Sequence, residues 1–389
     1  MKRRALLFMG GGVIGGLAAG VSRGVWQART PVTADLPPNP TQNPTVTAPE
    51  LVAKRSPNPA PIGMYAPRRG DLRIAVISDL NSQYGSTTYD REVLLAVKYL
   101  PDWEPDLVIC SGDMVAGQFP SLTEPEIKAM WDGFDRHIGA PIRKLKIPYG
   151  FTLGNHDASS ALSVNKKFLF QQERDLAAAY WRDPKHNPGV NIVDRGQFPF
   201  YYTFEQGQVF YLIWDASSSQ IPAEQLAWAE KSLASPRAQA AKIRIVIGHL
   251  PLYAVAIGRE DLGEIVANGD KVRRMLEKQR VHTYISGHHH AYYPAHIGKL
   301  QLLHTGALGS GPRPLLVGNL PVTKTMTIVD IDYKTADTTY TTYNMTRKMV
   351  VDQKTLPRLI SGPTGTVLRR DLEVSDLTAQ ERNQYLRGT

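Results

Sequence analysis

The sequence predicts an α/β fold, and three observations support this prediction. Five short apolar runs end in turns that carry aspartate, asparagine or histidine, as strands leading into a functional site do. Amphipathic stretches with helical spacing lie between most of these runs. Two further pairs of apolar segments flank short polar turns, which is typical of β-hairpins.

The five predicted strands share one arrangement, an apolar run followed by a potential metal ligand. In chain order they are DLRIAVIS before Asp79, PDLVICSG before Asp113, IPYGFTLG before Asn155, His156 and Asp157, KIRIVIG before His249, and VHTYISG before His288 and His290. Because the carboxyl ends of strands in open α/β sheets assemble binding sites, we expect these side chains to gather at one place.

The predicted helices and hairpins complete the core. The helix-like stretches are DREVLLAVKYL, EPEIKAMWDGFDRHI, VNKKFLFQQERDLAAAYW, AEQLAWAEKSLA and DKVRRMLEKQR. Thr123 and Glu126 form a capping pair before the second of them. One hairpin joins FPFYYTF to QVFYLIW, and the other joins TKTMTIVDID to TTYTTYNM.

Composition divides the chain into four segments. Residues 1–30 have the basic start and short apolar run of an export signal, and Arg3-Arg4 resembles a twin-arginine signal. We therefore expect export to the periplasm or another extracytoplasmic compartment; an uncleaved N-terminal membrane anchor is the alternative. Residues 31–67 are a proline-rich linker, residues 68–346 the core domain, and residues 347–389 a tail with one short capped helix.

Charge and cysteine content exclude some classes of protein. The net charge of +9 is concentrated in the N-terminal segment and the tail, so the middle of the chain has no basic stripe that indicates nucleic-acid binding. The single cysteine, Cys110, excludes an internal disulfide or a cysteine-rich zinc cluster.

The three consecutive histidines, His288 to His290, need separate interpretations. In an extended segment alternate side chains face the same way, so His288 and His290 would enter one site while His289 points away. Aspartate, asparagine and histidine without cysteine suit Mn, Fe, Zn or Mg, and this many ligands fits two divalent ions that share a carboxylate. Each residue also has an ordinary structural interpretation, such as a turn asparagine or a buried histidine.

The motifs SDLN, SGDMV, LGNHD, IGHLPLY and SGHHHAYY resemble the calcineurin-like metallophosphoesterase family, and DASSSQIPAEQLAWAEKSL resembles its purple-acid-phosphatase-like members. The resemblance implies a four-layer α-β-β-α sandwich of two mixed sheets with flanking helices and a binuclear metal centre. It assigns Asp79 and His290 to one ion, assigns Asn155, His249 and His288 to the other, and makes Asp113 the bridge. It also implies that His156, oriented by Asp157, assists the leaving group.

One position departs from the family pattern. Asn81 stands where the family usually has histidine, and Ala116 stands where purple acid phosphatases have tyrosine. An amide oxygen of Asn81 would make the first site richer in oxygen. The predicted function is hydrolysis of small phosphate esters by a metal-bridging hydroxide, and the alternative is a family member that binds metal or phosphate without turnover.

Overall fold

Two mixed β-sheets form the centre of the structure, a computed structural model that describes residues 57–388. The strands, numbered along the chain, are β1 Leu72–Ile77, β2 Leu107–Cys110, β3 Tyr149–Phe151, β4 Asn191–Asp194, β5 Tyr202–Gln206, β6 Val209–Ile213, β7 Ile243–Ile247, β8 Thr283–Ser286, β9 Tyr293–Ile297, β10 Leu300–His304, β11 Thr325–Ile331, β12 Thr338–Asn344, β13 Met349–Val350, β14 Leu359–Gly362 and β15 Gly365–Arg369.

The order of the strands separates them into sheets of six and nine strands. The first sheet runs β13-β12-β11-β1-β2-β3 and the second β14-β15-β9-β10-β8-β7-β6-β5-β4. Strands β1, β2 and β3 are parallel, as are β6, β7, β8 and β10, while the remaining neighbours are antiparallel. Each sheet therefore has a group of parallel strands whose carboxyl ends point the same way, and both predicted hairpins are confirmed.

The helices are α1 Arg91–Trp103, α2 Glu124–Phe134, α3 Ala140–Lys144, α4 Asn155–Ala158, α5 Gln171–Arg182, α6 Ala223–Leu233, α7 Pro236–Ala240, α8 Gly269–Lys278 and α9 Ala379–Arg387. A π-helical segment, Asp135–Gly139, joins α2 to α3. Helix α1 buries Trp103 against Tyr343 of the first sheet, and α6 and α8 contact the second sheet. The Thr123–Glu126 capping box is present at the start of α2, as predicted.

The two sheets pack against each other through aromatic side chains and specific hydrogen bonds. The Tyr202 hydroxyl of β5 donates to the Phe151 carbonyl oxygen at 2.8 Å, and the Thr152 hydroxyl donates to the Trp214 carbonyl oxygen at 3.0 Å. Because these polar groups are buried, each hydrogen bond offsets a desolvation cost and fixes one sheet relative to the other. The predicted fold class, α/β with two mixed sheets between helices, is confirmed.

One predicted helix begins later than its sequence pattern suggests. The stretch 164–181 was expected to be helical throughout, but α5 begins at Gln171. A turn precedes it, in which the Ser163 amide donates to the Lys167 carbonyl oxygen at 2.8 Å and Lys166 has a φ of 57°. Val164 is fully exposed there, so its apolar side chain does not mark a buried helical face.

The C-terminal segment contributes more than the expected helix. Helix α9 begins with the predicted capping box of Thr378 and Glu381. In addition, β15 pairs with β9, so β14 and β15 extend the second sheet. A small buried cluster beneath them comprises Leu359, Leu368, Leu372, Leu377 and Tyr385.

The predicted export signal, 1–30, and most of the predicted linker, 31–67, lie outside the described residues. The described end of the linker packs on the core, because the buried Arg73 guanidinium donates to the carbonyl oxygens of Pro59 and Pro67 at 2.8 and 2.9 Å. Within residues 57–388, no helix has both the length and the apolar character needed to cross a membrane. The four segment boundaries stay predictions.

Candidate metal centre

The polar residues that follow β1, β2, β3, β7 and β8 converge where the parallel strands of both sheets end. The structure brings together all the side chains singled out at these strand ends: Asp79, Asp113, Asn155, His156, Asp157, His249, His288 and His290. Most of them are buried, so their polar atoms must find partners within the cluster.

The backbone in this cluster is strained. Asp79, Asp113, His288 and His290 have φ values of 50°, 55°, 65° and 55°, in the left-handed region. Each such residue costs about 1–2 kcal/mol, and strain of this kind is found at functional sites. Gly154 permits a related close approach, since an added Cβ would overlap the Asp113 carboxylate.

The premise that residues 288–290 are extended is wrong, because His288 and His290 have left-handed backbones. Their side chains nevertheless both enter the cluster, where His288 Nδ1 lies 2.9 Å from Asn155 Oδ1 and His290 Nε2 lies 3.2 Å from Asp79 Oδ1. The His289 ring points away and bonds to the backbones of Val255 and Glu264 at 3.2 and 3.1 Å. The turn, not strand alternation, produces this arrangement.

Two groups of potential ligands lie next to each other. Asn155 Oδ1 lies 3.0 Å from His249 Nε2, as well as close to His288 Nδ1. Asp113 Oδ2 lies 3.3 Å from His249 Nε2. Ligand atoms of Asp79, Asp113 and His249 all lie within 4.8 Å of one another. Asp79 also contacts His290, so it links His290 to the other potential ligands.

Asn81 adjoins the cluster mainly through its backbone. Its amide donates to the Asp113 carbonyl oxygen at 3.1 Å, and its carbonyl oxygen accepts from the Ser310 amide at 3.0 Å. Asn81 is 6% exposed. Its assignment as a ligand of the first ion stays a prediction.

Each of the three potential histidine ligands, His249, His288 and His290, has one ring nitrogen bound to an oxygen outside the cluster. His249 Nδ1 donates to the Ser111 carbonyl oxygen at 2.8 Å, and His290 Nδ1 donates to the Gly311 carbonyl oxygen at 2.8 Å. His288 Nε2 lies 2.7 Å from a carboxylate oxygen of Glu264. In a neutral imidazole that donates outward, the inward nitrogen presents a lone pair, as a metal-binding histidine must.

The donor set fits divalent cations. The inward nitrogens of His249 and His288 face the acceptor oxygen of Asn155, so lone pairs converge there once both rings are neutral. Asp113 Oδ2 is buried and has no hydrogen-bond partner among the described residues. A cation would satisfy all these atoms at once, and oxygen and imidazole donors suit Mn, Fe, Zn or Mg.

The electrostatics of the cluster also favour a cation. Burial alone would raise the pKa of Asp113, but the adjacent His249 and His156 outweigh it and lower that pKa. Burial alone would lower the pKa of His249, but the charge of Asp113 raises it to about 9. The field that holds a proton on His249 would attract a metal ion, which competes with that proton for Nε2.

His156 lies at the edge of the cluster, with Nε2 4.0 Å from Asp113 Oδ2. The expectation that Asp157 orients its ring is wrong, because His156 Nδ1 donates to the Gly117 carbonyl oxygen at 2.8 Å. The Asp157 carboxylate instead accepts from the Val115 and Gly154 amides at 2.9 and 2.8 Å. Burial, followed by the charge of Asp113, raises the pKa of Asp157 to about 7.

Three further residues lie beside the cluster and were not identified from the sequence. Gln118 Oε1 accepts from Asn155 Nδ2 at 2.5 Å, which directs Asn155 Oδ1 towards the histidines. Glu264 contacts His288 and pairs with Arg259, and all three line a cleft beside Asn155. Gln118 and Arg259 lie in loops and Glu264 ends the short 3₁₀ helix Leu262–Glu264. None of the three belongs to a recognisable motif, so no sequence pattern indicates them.

Comparisons with known proteins agree with this geometry. The profile of the calcineurin-like phosphoesterase family matches residues 72–292, more than half of the chain. The solved structure of purple acid phosphatase PPD1 from seeds of yellow lupin (Lupinus luteus) aligns with a TM-score of 0.51 and 16% identity over 72% of this chain and 52% of that chain. GAP50, the anchor in the inner membrane complex of Plasmodium, aligns with a TM-score of 0.46 and 14% identity over 72% of this chain and 87% of that chain.

The chain therefore spans about half the length of the lupin phosphatase, and at this identity the likeness concerns the fold alone. No protein with a curated description matches the sequence.

Proposed function

The chain belongs to the calcineurin-like phosphoesterase family, and from this premise we propose that it is a hydrolase of small phosphate esters that uses two divalent ions. The observation that carries the proposal is the convergence of ligand atoms around the buried Asp113 Oδ2, which has no hydrogen-bond partner in the described part of the chain. Without a cation this buried oxygen has ion-pair contacts with the His249 ring at 3.3 Å and the His156 ring at 4.0 Å, but no hydrogen bond from the described residues.

In this proposal Asp79 and His290 hold one ion, with the amide oxygen of Asn81 as an additional donor. The second ion is held by Asn155, His249 and His288, and Asp113 is shared by both. The ions would be Mn, Fe, Zn or Mg. When bound, they supply an activated nucleophile and neutralise the charge that develops on the phosphoryl group.

His156 is proposed as the acid that protonates the leaving oxygen. Its Nδ1 is engaged by the Gly117 carbonyl oxygen, so Nε2 is the nitrogen that would deliver the proton. Asp157 supports this role indirectly, because its carboxylate accepts from the amides of Val115 and Gly154, in the segments that follow β2 and β3.

Replacement of His156 by alanine tests the chemistry separately from metal binding. We expect His156→Ala to retain its metal content and to lose hydrolysis by about 10²–10⁴-fold, the range for a lost general acid. The loss should be smaller for esters with a good leaving group, which needs no proton. Metal analysis and a panel of phosphomonoesters and phosphodiesters with each candidate ion provide the two measurements.

The outcomes separate the two candidate functions. Loss of metal in His156→Ala would contradict the assigned role. Stoichiometric metal in the wild-type protein without turnover of any ester would favour the alternative suggested by Asn81, a member that binds metal or phosphate only.

Export is also part of the proposal. It rests on the basic start and apolar run of residues 1–30. A fusion of this segment to a reporter that is active only outside the cytoplasm should give signal, and Arg3→Lys with Arg4→Lys should reduce it if the twin-arginine route is used.

A further inference from the structure

Two aromatic side chains are exposed beside the metal centre. Tyr84 is 58% exposed and Phe119 is 45% exposed, and their rings stack with centroids 5.2 Å apart at an interplanar angle of 24°. Exposed aromatic side chains leave much apolar surface in contact with water, so a stacked pair at the rim of a site is a candidate binding surface. We call Tyr84 and Phe119 the aromatic pair.

The aromatic pair adjoins the residue proposed to protonate the leaving group. The Tyr84 ring lies 5.4 Å from the His156 ring, centroid to centroid, at an angle of 44°. The loops that carry the pair are joined, because the Gly85 amide donates to the Ala116 carbonyl oxygen at 2.8 Å. The next residue, Gly117, accepts the hydrogen bond from His156 Nδ1. The pair and His156 therefore form one structural unit.

The position of Phe119 is fixed by its own loop. The preceding residue, Gln118, has a φ of 65° and donates its backbone amide to the Glu173 carboxylate at 3.0 Å. Its side chain accepts from Asn155 at 2.5 Å. Because the loop is held from both sides, little conformational entropy would be lost when a ligand contacts the ring.

These contacts determine the chemical class of the ligand. An aromatic face binds planar rings by stacking and makes no hydrogen bond that would require a particular substituent. Because His156 is proposed to protonate the leaving oxygen, a ligand group bound next to it belongs to the leaving alcohol and not to the phosphoryl group. We propose that the aromatic pair binds a planar aromatic ring in the leaving group of the ester. This inference rests on the proposed function and names its substrate class.

A matched pair of esters tests the inference. Benzyl phosphate and cyclohexylmethyl phosphate have leaving groups of similar size and similar alkoxide character, but only the first has a planar ring. We expect kcat/KM to favour the benzyl ester by about 5- to 100-fold, the range for one stacking contact. Tyr84→Leu and Phe119→Leu should each bring the ratio towards one, whereas Tyr84→Phe, which keeps the ring, should preserve it.

A second pair distinguishes the source of the ring. The ratio of kcat/KM for adenosine 5′-monophosphate and ribose 5-phosphate is measured with the same variants. If this ratio falls towards one in the leucine variants, the bound ring is a nucleobase. If only the benzyl ratio falls towards one, the bound ring lies close to the ester oxygen. Either result supports the inference, and two ratios that are the same in the leucine variants as in the wild-type protein overturn it.

Binding without turnover keeps this test independent of the proposed function. Benzylphosphonate and cyclohexylmethylphosphonate are titrated calorimetrically into the same variants loaded with metal. Tighter binding of the benzyl compound that is lost in Tyr84→Leu supports the aromatic pair even when no ester is hydrolysed. Equal binding of both compounds by the wild-type protein refutes it. Leu262→Ala, at another highly exposed apolar side chain, is the control that should change neither affinity.

Discussion

At the scale of single residues, the outward ring nitrogens of His249, His288 and His290 each have a hydrogen-bond partner. That partner determines whether the inward nitrogen of the same ring can bind a metal ion. Two of the three outward partners are backbone carbonyl oxygens, at Ser111 and Gly311. The third is the carboxylate of Glu264, which ends the short 3₁₀ helix and bonds to His288. Burial opposes ionisation of Glu264, but the contact with His288 prevails and lowers its pKa to about 2. Of these three outward partners, Glu264 is thus the only one that a side-chain substitution can remove.

We predict that Glu264→Ala weakens binding of the ion proposed to lie at Asn155, His249 and His288 by about 10- to 100-fold, because His288 loses its outward acceptor. Glu264→Gln keeps a neutral acceptor and should have a smaller effect. Competition with a chelator measures the affinity of each ion. Glu260→Gln, on the same loop, is the control, and equal affinities in all three variants would show that Glu264 does not position His288.

At the scale of elements, helix α5 supports the loop that follows β2. The Glu173 carboxylate of α5 accepts from the Gln118 amide and is 4% exposed. Burial raises its pKa from 4.5 to about 7, although hydrogen bonds from the Gln118 and Phe119 amides oppose the shift. The folded protein therefore holds this proton over a range of pH in which the unfolded chain has released it.

The sign of the resulting pH dependence follows from linkage. Between pH 4.5 and about 7 the folded state binds more protons at Glu173 than the unfolded state does, so stability falls as the pH rises. We predict that, over this pH range, the free energy of unfolding falls by about 1–2 kcal/mol less in Glu173→Gln than in the wild-type protein. Urea unfolding at both ends of the range measures it, with Asp175→Asn on the exposed side of α5 as the control. An unchanged slope in Glu173→Gln would contradict the raised pKa.

Local patterns in the sequence predicted most elements, because apolar runs and turn residues act over short distances. The strands before Asp79, Asp113 and His249 and both hairpins were predicted in this way. The start of α5 was not, since the exposed Val164 resembles a buried helical position in sequence alone. The turn at 288–290 was also missed, because its left-handed backbone is stabilised by partners distant in the chain.

At the scale of the whole molecule, the candidate site exists only because two sheets place their parallel strand ends together. Asp79 and His290 are in contact although most of the core lies between them in sequence. The spacing of motifs indicated which side chains would gather within each sheet, since parallel strands of one sheet end at the same edge. The contributions of Gln118 and Glu264 depend on how loops fold over that edge, which no local pattern records.

We propose that two divalent ions share Asp113, and anomalous diffraction from crystals of the metal-loaded protein would locate each ion. We expect two anomalous peaks roughly 3.5–4 Å apart. One peak should lie beside Asp79 and His290, the other beside Asn155, His249 and His288, with the Asp113 carboxylate between them. A single peak, or two peaks of which only one contacts Asp113, would show that Asp113 is not shared by two ions.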